Sequence, residues 1–111
     1  MAGIVNLVDA VVSAADRADK KDLTLTVGET ARDFGKQLDQ SSEMIARKAT
    51  ALIKSGSTVL THSFSSTVLR ALLLARTRGK RFKVICTESR PMCEGVTLVR
   101  KLGRAGIPTT L

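Results

Sequence analysis

The sequence predicts an α/β chain, with helices first and then strands and helices alternating around a parallel sheet. Three features predict it. Through the first half, apolar residues recur every three or four positions, the period of a helix with one buried face. After Ser55-Gly56 the pattern changes to short β-branched apolar runs, which read as strands. Those runs then alternate with helical patterns, and strand, helix, strand, helix, strand is the order of a parallel sheet with crossover helices.

The first helix carries Ile4, Leu7, Val8, Val11 and Ala15 on one face and ends near Lys20-Lys21-Asp22. A second helical face follows in Val27, Ala31, Phe34, Leu38, Ile45, Ala49 and Leu52. Ser41 and Ser42 weaken its middle, so one long helix and two shorter ones both fit. Ser55-Gly56 stops it, because glycine takes the left-handed conformation that closes a helix. Thr58-Val59-Leu60-Thr61 is the first strand. Residues 67–77 form a helix, apolar at Val68, Leu69, Leu72, Leu73 and Ala75, and Gly79 ends it. Residues 82–87 form the second strand, and Glu88-Ser89-Arg90-Pro91 a turn. Residues 94–104 form a helix on Val96, Leu98, Val99 and Leu102. Gly106 punctuates it, and residues 107–111 begin a third strand. The expected division is a helical region, 1–55, and an α/β region, 56–111. Three parallel strands leave long unpaired edges, which invite association. The chain is therefore expected to be the first part of a longer protein, or to pair edge to edge with another chain.

The 111 residues suffice for one small domain with its own core, and a hydrophobic content of 43% is that of a globular protein. No apolar run approaches a membrane span, so no membrane partner is expected. Residues 1–12 have no basic leader before an apolar block, unlike a signal peptide. Two cysteines, Cys86 and Cys93, are too few to staple a secreted fold, so free thiols in a reducing cytoplasm are expected. With the lone His62 they offer no zinc set, and neither a metal nor a cofactor is expected. The aromatics are Phe34, Phe64 and Phe82, few platforms for stacking single-stranded nucleic acid.

The net charge of +8 is unevenly spread. Residues 1–40 carry seven acids and five bases, whereas residues 41–111 carry three acids and thirteen bases. The bases are densest at Arg76, Arg78, Lys80, Arg81 and Lys83. Such a patch suits an anionic partner: nucleic acid, a phosphorylated small molecule or an acidic protein surface. Cations at a helix C-terminus are also favoured by its dipole, which accounts for part of the cluster.

Ligands of parallel sheets sit outside the carboxyl ends of the strands. Here those ends are residues 62–67 and 87–91. His62 has Ser63, Ser65 and Ser66 beside it, but neighbours in sequence rarely aim at one another, and the G-x-S-x-G elbow is absent. A structural histidine fits better than a catalytic one. A helix N-terminus presents free N–H groups that suit a phosphate, and Ser63, Ser65, Ser66 and Thr67 add hydroxyls. The same residues cap helices in any case. At the next strand end, Arg90 offers a bidentate fork for phosphate or carboxylate, and Glu88 an acceptor for sugar hydroxyls. The alternative is a Glu88–Arg90 pair that only braces the turn.

Three motifs in order, Thr61-His62-Ser63 with its small polar loop, Thr87-Glu88-Ser89-Arg90-Pro91 with Gly95 behind it, and Ala105-Gly106-Ile107-Pro108, give residues 41–111 a resemblance. They resemble the family of the alpha, beta and delta subunits of translation initiation factor 2B. That family also includes ribose-1,5-bisphosphate isomerase and methylthioribose-1-phosphate isomerase. The resemblance implies a Rossmann-like domain after a helical one, here present only in its first half. It implies assembly through the Rossmann-like domains, with homologous subunits or with itself, and a site for a sugar phosphate or nucleotide at the strand ends. It also implies initiation factor 2 as a partner. In the isomerases, the resemblance places a cysteine followed by asparagine where this chain has Ser63 and Phe64. The aspartate that works with that cysteine is placed beyond Leu111. A serine hydroxyl is a far poorer acid than a thiol near neutrality. The expectation is therefore a regulatory, subunit-like module and not an enzyme. A sugar-phosphate isomerase is the alternative, and RNA binding by residues 76–83 a further one.

Overall fold

The computed structural model describes residues 2–111. The elements are α1 (Ala2–Arg17), α2 (Leu23–Leu52), β1 (Thr58–Thr61), α3 (Ser66–Thr77), β2 (Lys83–Cys86), α4 (Glu94–Arg104) and β3 (Thr109–Thr110). The strands form one parallel sheet in the order β1-β2-β3. Thr58 pairs with Lys83 and Val84 with Thr109. The α/β class and its element order are as the sequence predicts.

The chain forms two compact units, Met1–Ser41 and Ser42–Leu111. The expected division at 55/56 marks where helix gives way to sheet. Compactness divides the chain earlier, inside α2, because the last turns of that helix pack on α3. Buried Thr50 fixes them: its hydroxyl hydrogen-bonds the carbonyls of Ala46, at 2.8 Å, and Ala71, at 3.1 Å. Lys80 adds to this, its ammonium donating to the carbonyls of Thr50 and Ile53, each at 2.6 Å. A helix end has carbonyls without helical partners, and Lys80 satisfies two of them.

In the first unit, α1 ends at Arg17, earlier than expected, and a turn closed by the Asp22 N–H on the Asp19 carbonyl leads into α2. Ile4, Val5, Val8 and Val12 of α1 are each more than half exposed. α2 is a single helix of 30 residues. Ser41 is exposed, and the Ser42 hydroxyl pairs with that of Thr67 at 3.0 Å, so neither competes with the helical ladder.

The core lies in the second unit, between the sheet and the helices α3 and α4. Leu72, Ala75, Phe82, Val84, Cys86, Leu98, Leu102 and Ile107 are buried together. Each strand alternates: Val84 and Cys86 turn inward, whereas Lys83 and Ile85 are exposed on the other face, as Leu60 is on β1. β3 is only two residues long; Pro108 before it has no N–H to donate, but its carbonyl accepts the Val84 N–H at 2.9 Å.

Candidate functional site

Parallel register brings the loops after β1 and β2 side by side, and hydroxyls stitch them together. The Ser63 N–H donates to Ser89 Oγ at 2.9 Å. Ser89 Oγ lies 3.0 Å from Thr87 Oγ1, which in turn meets His62 Nδ1 at 2.8 Å. Among the described residues, three that are not glycine have left-handed backbones: Ser63, Ser89 and Cys93, with φ of 61°, 61° and 51°. All three lie in these two loops. Such conformations cost energy and persist where surrounding bonds hold them, often at functional sites.

The group that closes the arrangement is Glu94, in the first turn of α4. Its carboxylate accepts the Ser63 hydroxyl and also the Phe64 N–H, the latter at 3.3 Å. The Ser63 hydroxyl, followed by the Phe64 N–H and the charge of His62, holds the Glu94 carboxyl below the usual range, against the opposing effect of burial. An ionised carboxylate only accepts, so Ser63 is the donor. A lowered pKa also makes Glu94 a weaker base.

Gly95 makes this placement possible. A Cβ there would lie 1.9 Å from the Thr87 carbonyl oxygen. The bare glycine lets α4 begin against the backbone of the β2 loop, where its N–H donates to the Glu88 carbonyl at 3.2 Å. Cys86 is buried, which pushes its thiol pKa up, and Cys93 turns its Sγ toward the Pro91 carbonyl, 3.6 Å away.

The sequence-predicted residues divide between several tasks. Ser63 lies at the junction of the loops. Ser65 is the N-cap of α3, accepting from the Val68 N–H at 3.3 Å, and Ser66 is exposed in the first turn. Thr67 directs its hydroxyl to Ser42 on α2. Glu88 and Arg90 form an ion pair of 2.7 Å on the rim, with the Arg90 side chain 80% exposed. Sequence reasoning missed Glu94 and the bridging roles of Thr87 and Ser89. The available signal was an acid opening a helix directly before a glycine. No group of three or more potential metal ligands occurs among the described residues, and no helix among them is long and apolar enough to cross a membrane.

A model of the Initiation factor 2 subunit family matches residues 1–111. A protein of Pyrococcus horikoshii named as translation initiation factor eIF-2B subunit 2-like is 44% identical over 77 residues, covering 69% of this chain and 28% of that protein. A ribose 1,5-bisphosphate isomerase of Archaeoglobus fulgidus is 41% identical over 81 residues, covering 73% of this chain and 26% of the isomerase. Among solved structures, the translation initiation factor eIF-2B of Pyrococcus horikoshii superposes with a TM-score of 0.84 at 36% identity, over 98% of this chain and 37% of its own. The chain thus spans little more than a quarter of the length of the curated relatives it matches.

Proposed function

The chain belongs to the Initiation factor 2 subunit family, and on that premise we propose that it is a regulatory-subunit-like binding and assembly module of translation initiation, working in the cytoplasm. Its partners are then homologous subunits or further copies of itself, with initiation factor 2 as the client. The strand-end loops, with Ser63, Ser65, Ser66, Glu88 and Arg90, are the candidate contacts for a phosphorylated small molecule or nucleotide; Thr67 joins them by giving up its bond to Ser42.

The observation that carries this reading is the state of Ser63. The resemblance puts the isomerases' thiol at this position, and here a hydroxyl donates to an ionised Glu94. A hydroxyl is a far poorer acid than the thiol it replaces, and a carboxylate with a lowered pKa is a weak base toward it. Exposed apolar side chains support assembly: Leu60 and Ile85 leave one sheet face uncovered, and parallel sheets are ordinarily covered on both faces.

The isomerase is the second reading, favoured by the relative from Archaeoglobus fulgidus and by the Glu94 carboxylate held against the Ser63 hydroxyl. Two measurements separate the readings. Sedimentation across a concentration series is expected to show self-association, or a complex with an added homologous subunit. A monomer that ignores both would remove the assembly reading. An assay for conversion of ribose 1,5-bisphosphate to ribulose 1,5-bisphosphate is expected to show no turnover by the wild type, with Ser63→Cys as comparison. Turnover that Glu94→Gln abolishes would replace the first reading with the second.

A further inference from the structure

Cations collect at the amino end of the sheet, opposite the strand-end loops. In a parallel sheet each crossover helix ends where the next strand begins. Helix α3 therefore delivers Arg76 and, at its C-cap, Arg78; α4 delivers Arg104; and the segment into β2 delivers Arg81 and Lys83. Lys54 follows the end of α2. All six are exposed, and among the described residues none is ion-paired.

Arg76 and Arg81 line a cleft of about 260 Å³ with Phe82, Gly106 and Pro108. Arg81 and Lys83 line a second, of about 550 Å³, and Arg81, Phe82 and Pro108 are common to both, so the surface is continuous. The three acids of residues 41–111 are elsewhere. Glu88 and Glu94 sit at the opposite end of the sheet, and Glu43 bonds Arg47 at 3.0 Å and faces Arg70 at 4.0 Å.

Helix dipoles do not account for this. The C-termini of α2, α3 and α4 contribute about half a negative charge each, against six cations. Lys80, a seventh, already caps α2. Nor does the surface offer a stacking platform, because Phe82 is 5% exposed. What remains is an open face of guanidinium forks and ammonium groups without an aromatic platform on which unpaired bases could stack. That suits a rigid duplex contacted through its backbone.

We propose that the amino end of the sheet is a docking face for the backbone phosphates of a nucleic-acid duplex. This stands apart from the strand-end site and from the assembly reading, and each can fail without the other.

The test is fluorescence anisotropy of the full chain with short RNA and DNA duplexes across a salt series. Six phosphate contacts predict a slope of log K against log salt near about −5, and a loss of on the order of 1,000-fold between about 50 and 200 mM salt. The double variant Arg76→Gln/Arg81→Gln should lower the slope by about 2. Lys20→Gln/Lys21→Gln, with the same charge loss in the other unit, should change it far less. The tighter duplex identifies the source of the phosphates. No binding at low salt, equal effects of the two double variants, or equally tight binding of poly-glutamate would overturn the proposal. Circular dichroism of each variant separates lost binding from lost folding.

Discussion

Replacing Gly95 by alanine probes how α4 is seated against the sheet. The added Cβ would lie 1.9 Å from the Thr87 carbonyl oxygen and 2.9 Å from its carbon, whereas ordinary contacts begin at 3.4 Å. Both neighbours are backbone, so no side chain can swing away. Either α4 or the end of β2 must move by about 1.5 Å, and overpacking of this kind costs about 1–3 kcal/mol. The same movement breaks the bond from the Gly95 N–H to the Glu88 carbonyl, worth about 1 kcal/mol. The sum, about 3 kcal/mol, is a large share of the ~5–15 kcal/mol that holds a domain folded. At about 4–8 °C per kcal/mol for a domain of this size, Tm should fall by roughly 12–24 °C. Gly103 is the internal control: it lies in the same helix with nothing within 4 Å of its would-be Cβ. Alanine there should stabilise by about 0.5 kcal/mol, because glycine is a poor helix former. Urea denaturation followed by circular dichroism measures both. If Gly95→Ala falls within about 0.5 kcal/mol of the wild type, or if the two variants move together, the seating described here is wrong.

Three further outcomes are expected. The Glu94 carboxyl is held below its ordinary value in the folded chain, so its contribution is present above about pH 4.3 and fades as pH falls through the lower folded value; Glu94→Gln should flatten the acid limb of a stability–pH curve, and an unchanged limb contradicts the Ser63–Glu94 contact. Thr50→Val keeps the shape but removes both carbonyl contacts, and should cost about 1–2 kcal/mol in the same denaturation experiment; no loss would mean that the hydroxyl does not join α2 to α3. In native protein a thiol reagent should modify Cys93 well before Cys86, whose thiol is buried with a raised pKa, and equal rates would argue against the burial of Cys86.

The strands and helices of the second unit were legible because their cues are local. Gly56 and Gly79 take left-handed backbones, with φ of 85° and 77°, where the sequence placed stops. α4 begins at Glu94 and ends at Arg104, as its apolar spacing predicts. The continuity of α2 was not legible, because Ser42 finds its partner in Thr67, across 25 residues. The adjacency of the two loops follows from parallel topology and could be read in advance. The role of Glu94 could not, since it depends on the left-handed turn at Ser63 and on the close approach at Gly95. Position within α3 also misleads: Ser65, Ser66 and Thr67 are consecutive, yet a helical turn sends their hydroxyls to a cap, to solvent and to α2.

The register of the sheet has a kinetic meaning. Each strand residue meets its partner 25 positions further on, from His62 and Thr87 at one end to Val84 and Thr109 at the other. The two βαβ closures therefore span equal lengths of chain and carry equal entropic costs. Neither waits on a distant segment. The unit β1–α3–β2 can therefore close before α4 packs, and that finished pair then offers β2 as the template for β3.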